Sequence, residues 1–182
     1  MNSNKVVYQL KDKAIWLVLI VLVVAFTIAN PRFINPSNVM TLLRQVAVFG
    51  IASIGMTFVI LLGDIDLSIG TIMSFVNIIC AYMMVNMGMN MVVAVLVSLV
   101  AATAIGVLNG LMVSTVGIPA IIATFATQTA FNGLALIICG GMPISGFPDG
   151  FEIIGQGYIG IVPIPVIIMI ICFAIGSFVL NK

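Results

Sequence analysis

Two aspartates separated by a single residue, Asp64 and Asp66, are the side chains of this sequence best suited to chemistry. They are the only charged residues between Gln45 and Pro148. An ionised Asp at the centre of a bilayer-spanning helix costs about 2.5 to 3.5 kcal/mol on insertion scales. We therefore expect both carboxylates to lie at a helix boundary, in a polar cavity or at a working site.

Paired carboxylates could act as the acid and base of an intramembrane aspartic protease. Such a pair must face each other from separate helices, whereas Asp64 and Asp66 belong to one short turn, so the protease is a minor hypothesis. The structural alternative is helix capping. Asp66 precedes Leu67 and Ser68 and could accept backbone N–H groups at the start of a helix, near the positive end of its dipole. Capping explains Asp66 and leaves Asp64 unexplained.

Polar side chains elsewhere recur at helical spacing. One series is Gly70, Ser74, Asn77 and Ala81. Another series falls at every fourth residue from 124 to 132. Amides facing lipid would lack hydrogen-bond partners, so these series predict either interhelical hydrogen bonds or the lining of a path for a hydrophilic solute. The candidate path residues are Ser74, Asn77, Thr124, Gln128 and Asn132.

Small residues recur every fourth position along another apolar segment. Such a series lets a second helix approach the backbone closely, which favours helix association in lipid. Packing is the main interpretation, and a helix that slides during a transport cycle is the alternative. The predicted packing residues are Ala94, Ser98, Ala102, Gly106, Gly110 and Ser114.

Soft ligands are present without a convincing metal motif. A methionine-rich stretch from Met83 to Met91 could suit Cu(I), although methionine is also a common filler of helix contacts. The 3 cysteines form no C-x-x-C pair and the chain has no histidine. We therefore predict no metal and no cofactor. No phosphate-binding loop motif occurs, so we expect no nucleotide hydrolysis by this chain itself and predict that it is not an enzyme.

Composition defines the elements that must position these residues. Hydrophobic residues make up 63% of the chain and charged residues 6%, which a soluble domain of this size could not tolerate. The sequence predicts an all-α integral membrane protein, with a segment 1–13 followed by a transmembrane domain 14–182. Six apolar segments near the length of a membrane span cover residues 14–29, 39–62, 67–87, 91–113, 118–139 and 161–180.

Basic residues predict the orientation. Lys5, Lys11 and Lys13 precede the first span, so the positive-inside rule places the N-terminus in the cytoplasm. Six crossings would return Lys182 to the same side. The Gly-rich connection 140–160 would then lie on the outer face, or in a re-entrant position lined by protein.

The acidic turn resembles a known signature. Residues 62–70, Leu-Gly-Asp-Ile-Asp-Leu-Ser-Ile-Gly, are similar to the G-G-x-D-L-S-V-G motif of the ribose-type permeases, the membrane subunits of bacterial ABC importers for monosaccharides. Further segments match that family in order: 38–45 with 52–57, Asn109-Gly110, 119–124, 132–135 and 140–144. The resemblance covers the chain from about Asn30 onward. Its signature residues here are Gly63, Asp66, Leu67, Ser68 and Gly70.

This resemblance implies a fold and partners. Family members have about ten spans, so this chain would correspond to the N-terminal part of such a permease in the bacterial inner membrane. It would form part of the path for a monosaccharide or similar small polar solute. The implied partners are an ABC ATPase subunit, an extracytoplasmic solute-binding protein, a second permease subunit and the lipid bilayer, with no nucleic acid.

The sequence departs from the family in three ways. Asp64 stands where the family usually has glycine, and Asn132 stands where it usually has arginine. The sequence also ends before the cytoplasmic segment with which family members dock on the ATPase. We therefore also consider a truncated, inactive or packing-only permease fragment.

Overall fold

The computed structural model describes residues 3–181, with side chains from residue 14 onward. The chain divides into two compact units, Met1–Val46 and Ala47–Lys182. The side chains of Lys5, Lys11 and Lys13 and the whole of Lys182 lie outside the described part, so the predicted orientation stays a prediction.

The first unit contains a long apolar helix and a tight turn. Helix α1 spans Ser3–Ala29 and therefore begins well before the predicted span. It ends directly before Asn30, whose side chain accepts a hydrogen bond from the Arg32 N–H at 3.1 Å. A 3-10 turn, Pro31–Ile34, follows, and Phe33 packs against Phe26 with ring centroids 5.6 Å apart. The two Asn-Pro steps thus coincide with the breaks in the helical chain.

Six further helices and one small hairpin follow among the described residues. The next helix starts at a proline, which has no backbone N–H to leave unpaired in the first turn. The elements are α2 (Pro36–Leu61), α3 (Ile69–Val85), α4 (Met91–Ser114), α5 (Ala120–Cys139), α6 (Glu152–Gln156), β1 (Tyr158–Ile159), β2 (Val162–Pro163) and α7 (Ile164–Leu180).

Three of the described helices are long and apolar enough to cross a membrane: α2, α4 and α5. The apolar stretches Ala14–Ala29, Ile69–Val85 and Ile164–Leu180 are shorter. Helices α3 and α7 each have 17 residues, and at 1.5 Å per residue this is the lower limit for a spanning helix. The fold is that of an all-α integral membrane protein, and the six-span topology stays a prediction.

Helix α3 is the central element of the second unit because it packs against both α4 and α5. In the middle of this bundle Phe75, Ile105 and Ala135 are buried together. Phe131 meets Phe75 edge-on with ring centroids 4.8 Å apart. Such aromatic pairs contribute about 0.5 to 1.5 kcal/mol beyond their area burial.

Helices α2 and α7 approach each other at glycines within the second unit. A Cβ atom on Gly176 would lie 2.9 Å from the Ile54 Cγ2 atom, and one on Gly50 would lie 2.5 Å from the Met169 sulfur. At either glycine a side chain would force the facing residue to shift. Small residues thus admit a neighbouring helix in α2 and α7, outside the predicted packing series on α4.

The Gly-rich connection after α5 is partly ordered into short elements. Gly140 ends α5 in the left-handed conformation with φ 60°, which glycine adopts without steric cost. Helix α6 and a two-stranded antiparallel hairpin follow, with Tyr158 opposite Pro163. Helix α6 packs on α7.

Candidate functional site

The acidic turn, residues 63–70, forms a local hydrogen-bonded structure that we call the signature turn. Asp66 Oδ1 accepts hydrogen bonds from the Ser68 N–H at 2.7 Å and from the Ser68 hydroxyl at 2.6 Å. This is an Asx turn, in which a side chain bonds the backbone two residues later. Ser68 is the N-cap residue of α3, so Asp66 fixes the residue that starts the helix instead of bonding the N–H groups of its first turn.

A chain of hydrogen bonds extends from the signature turn to both neighbouring helices. The Asn109 side-chain amide of α4 donates to the Ser68 hydroxyl oxygen at 2.9 Å. The Thr127 hydroxyl of α5 donates to the Asn109 carbonyl oxygen at 2.5 Å. Every donor in this chain of hydrogen bonds points towards Asp66, because the Ser68 hydroxyl donates its hydrogen bond to that carboxylate. Bonds aligned in this way polarise one another.

Burial makes this hydrogen-bond chain costly to break. The exposed fractions of Ser68, Asn109 and Thr127 are 0%, 6% and 4%. A second link runs from the Leu67 N–H to the Thr124 hydroxyl oxygen at 3.2 Å, and Thr124 is also buried. Leaving such groups unpaired costs about 1 to 3 kcal/mol each in a protein interior. These contacts therefore tie α3, α4 and α5 together at one end.

A cavity of about 520 Å³ lies beside the signature turn. Asp64 and Asp66 both border it, so the two acidic residues share one recess, whose lining is mainly apolar. Neither Gly106 nor Gly110 has a heavy atom within 4 Å of the position where its Cβ would be, and the missing side chains leave α4 open here. The other lining residues are Val59, Leu62, Ile65, Asn109, Val113, Ser114, Ala120 and Thr124.

Gly63 shapes the start of the signature turn. It has φ 85°, a conformation that costs other L-residues about 1 to 2 kcal/mol. Its N–H donates to the Ile60 carbonyl at 2.9 Å and so closes the end of α2. Asp64 lies outside the positive-φ region, as do all described residues other than glycine. The turn therefore requires glycine at 63 and not at 64.

Comparison with known proteins matches the sequence of this chain to a transport family. The profile of the family described as "Branched-chain amino acid transport system / permease component" matches residues 38–182, which is well over half of the chain. This protein belongs to that permease family. The resemblance to ribose-type permeases is confirmed by individual relatives.

Three curated relatives illustrate the similarity. The ribose import permease protein of Bacillus subtilis is 40% identical over 166 residues, which cover 90% of this chain and 51% of the relative. That of Haemophilus influenzae is 35% identical over 170 residues, covering 91% and 52%. The xylose/arabinose import permease protein of Sulfolobus acidocaldarius is 34% identical over 173 residues, covering 92% and 48%. No solved structure gives a significant match.

The permease chain spans about half the length of these relatives. The matched half includes the signature turn and the three helices that the hydrogen-bond chain joins. Membership of a permease family also favours a transport subunit over the protease hypothesis for Asp64 and Asp66.

The structure distributes the predicted path residues over separate places. Thr124 is buried beside the signature turn, whereas Ser74 and Asn77 are exposed and border a different cavity of about 340 Å³. Gln128 is half-buried and Asn132 is exposed. Thr124 therefore borders one cavity, and Ser74 and Asn77 border another. Their role in a path stays a prediction.

The predicted packing series on α4 is also divided. Ala94 and Ser98 are buried and Ala102 is half-buried, while Gly106, Gly110 and Ser114 are exposed towards the cavity. The reason is geometric: every fourth residue advances about 40° around a helix, so the five steps of this series drift too far to remain on one face. The buried face of α4 instead contains Ala94, Ser98, Ile105 and Asn109.

Asn109 and Thr127 are the functional candidates that sequence reasoning missed as site residues. Asn109 is the only amide side chain in α4, and a lone amide in an apolar helix signals a buried partner. Thr127 gave a weaker signal because it falls between the evenly spaced Thr124 and Gln128. Its position three residues after Thr124 places it on the same helix face.

Soft ligands cluster where α3 meets α4. Cys80, Met83 and Met84 are buried with Ala94, and Met89 and Met91 pack against them. Among the described residues, no group of three or more His, Cys, Asp or Glu side chains could hold a metal ion. The sulfur-rich cluster is an apolar contact between α3 and α4.

Proposed function

We propose that this chain is a permease subunit of an ATP-binding-cassette importer and forms part of the path for a monosaccharide or similar small polar solute. The observation that carries the proposal is the 40% identity to a ribose import permease protein over 90% of this chain. The hydrogen-bonded signature turn supports it, because the family signature is the part of the chain that joins three helices.

The proposed partners follow from what an importer needs. An ATPase subunit would hydrolyse ATP, an extracytoplasmic binding protein would deliver the solute, and a second permease subunit would complete the path. The chain would cross the inner membrane six times over the predicted spans, with residues 1–13 in the cytoplasm. The lipid bilayer would cover the exposed apolar faces of the helices.

Within this function, the signature turn would hold the helices that border the path. Gly63 and Asp66 shape the turn, and Ser68 transmits its position to α4 and α5. Leu67 and Gly70 complete the signature at the start of α3. Thr124 then has two roles, as a partner of the Leu67 N–H and as a polar group in the adjacent cavity.

Reconstitution tests the proposal directly. The chain is placed in proteoliposomes with the ATPase, the binding protein and any second permease encoded beside it, and uptake of radiolabelled D-ribose and D-xylose is measured. We expect ATP-dependent uptake that requires the binding protein. Ser68→Ala should reduce uptake, whereas Thr129→Val, which alters an exposed hydroxyl of α5, should not. Absence of uptake in the complete system would overturn the proposal.

A second candidate is a packing-only subunit without transport activity. In that case the chain would co-purify with a second permease and not with the ATPase. Affinity purification followed by mass spectrometry separates the two candidates, since an importer subunit retains the ATPase.

A further inference from the structure

A second large cavity lies between α3, α4 and the segment 147–156. We propose that this cavity is a binding site for one neutral monosaccharide. The inference rests on the proposed transport function and adds a location and a recognition chemistry. The cavity has a volume of about 560 Å³, within the range of about 300 to 1,000 Å³ typical of small-molecule sites.

The walls of the cavity combine apolar surface with a few polar groups. Helix α3 contributes Asn77 and Cys80, and α4 contributes Ser98 and Leu99. This mixture is the usual composition of small-molecule sites, in which apolar groups exclude water and polar groups orient the ligand. The segment opposite contributes Phe147, Pro148, Asp149, Phe151, Glu152, Ile154, Gly155 and Gln156.

Two stacked aromatic rings form part of the wall. Phe147 and Phe151 lie with ring centroids 5.2 Å apart and an interplanar angle of 12°. Phe151 also packs against the buried cluster of Cys80 and Met84, so the aromatic pair is attached to the helix core. A flat apolar surface of this kind suits the C–H face of a sugar ring.

The polar groups match hydroxyls and exclude anions. Asn77 and Gln156 supply amides that both donate and accept, while Asp149 and Glu152 only accept when ionised. Sugar hydroxyls both donate and accept, so they can satisfy both kinds of group. None of the described lining residues is basic, and two carboxylates would repel an anionic solute. The site should therefore bind a neutral sugar and reject its acid.

Cys80 provides a built-in reporter, because the residue borders the cavity and is 7% exposed. The purified chain is treated with N-ethylmaleimide in detergent, with D-ribose, with D-ribonate or without solute, and alkylation of each cysteine is followed by mass spectrometry. We expect D-ribose to slow alkylation of Cys80 by about threefold or more at saturation, since only unoccupied sites react. D-ribonate should give no protection. Cys139 and Cys172, which are half-buried, serve as internal controls.

Variants assign the protection to this cavity. Asn77→Leu should abolish protection by D-ribose while Cys80 remains reactive, and Gln45→Leu, an equivalent loss of an exposed amide in α2, should retain it. Glu152→Gln keeps the size of the side chain and should weaken discrimination against D-ribonate. Asn77→Leu and Glu152→Gln test the site separately, so the proposal remains testable if one of them fails to fold.

The outcomes distinguish this site from the general function. If reconstituted chain transports D-ribose but the sugar never protects Cys80, the site is wrong and the proposed function stands. If D-ribose protects Cys80 and no uptake occurs, the transport function fails while the site stands. Equal protection of all three cysteines, or equal protection by D-ribonate, would overturn the proposed site.

Discussion

The two ends of the α3–α4–α5 bundle are held together by different forces. At the signature turn, directional hydrogen bonds join Ser68 to Asn109 and Asn109 to Thr127. At the other end of α3, the contact with α4 consists of buried Cys80, Met84 and Ala94. One end depends on donor and acceptor geometry, and the other depends on volume and dispersion.

This difference indicates which end can adapt. A hydrogen-bonded contact has one good arrangement, whereas thioether side chains adopt many rotamers and fill irregular spaces. Lipid supplies no hydrophobic drive for helix association, so specificity must come from packing and polar contacts. We infer that the signature end sets the register of the helices and that the sulfur-rich end tolerates changes of shape.

Met84→Ala should cause the largest loss of stability and tests the apolar end of the bundle. Truncating a buried methionine costs about 2 to 5 kcal/mol because a cavity remains, and Met84 is 3% exposed. Met84→Leu conserves volume and should cost less than about 1.5 kcal/mol. Unfolding by SDS in mixed micelles measures both. If the two variants lose equal stability, sulfur chemistry and not volume holds this end.

Asn109→Ala should cause the next largest loss of stability and tests the hydrogen-bonded end of the bundle. The change removes both bonds of the buried amide, and polar contacts in membrane proteins average about 0.6 and reach about 1.7 kcal/mol each. We therefore expect a loss of roughly 1 to 3 kcal/mol in the same unfolding assay. Asn132→Ala, at an exposed amide of α5, is the matched control and should be nearly neutral. If Asn109→Ala and Asn132→Ala lost equal stability, buried hydrogen bonds would not distinguish this end from the apolar end.

Gly63→Ala tests whether backbone conformation supports the polar end. A Cβ atom at φ 85° should cost about 1 to 2 kcal/mol through strain. Gly70→Ala lies in the first turn of α3, where the added Cβ has open space, and should be neutral or slightly stabilising. Thermal unfolding in detergent compares the pair. A neutral Gly63→Ala would show that the turn can be rebuilt without a left-handed residue.

Asp64→Gly should change stability least of the four substitutions. Within the described part of the chain the Asp64 carboxylate accepts no hydrogen bond, in contrast to Asp66, and residue 64 does not need positive φ. We expect a change below about 0.5 kcal/mol, as for most sites without specific contacts. Uptake in the reconstituted system is measured alongside stability. A large gain in either would show that the second carboxylate opposes the family arrangement.

Much of the helical framework could be predicted from the sequence. The apolar segments matched the helices closely because Pro, Gly and Asn punctuate them: α2 begins at Pro36 and α5 ends at Gly140. The early start of α1 at Ser3 was missed because hydropathy reports membrane burial and not helix length. The hairpin after α6 was also missed, since strands of two residues carry no periodic signal.

The candidate site was only partly predictable. The signature residues and Thr124 were selected, and the structure places them together. The series predicted on α4 and α5 used a strict interval of four residues and so included Gly110 and Asn132, which are exposed. A helical face is instead built from alternating steps of three and four residues. Asn109 and Thr127 could be paired only once the packing of α4 and α5 was known.

The sequence by itself determined the class of the protein, the ends of most helices and the family signature, because these depend on local composition and on short motifs. Only the tertiary structure decided which polar groups are partners. The choice depends on the rotation of each helix about its axis, which is fixed by packing between segments far apart in the chain. That rotation places the Thr127 hydroxyl on the Asn109 amide and the Asn109 amide on Ser68, and so turns a local motif into a joint between three helices.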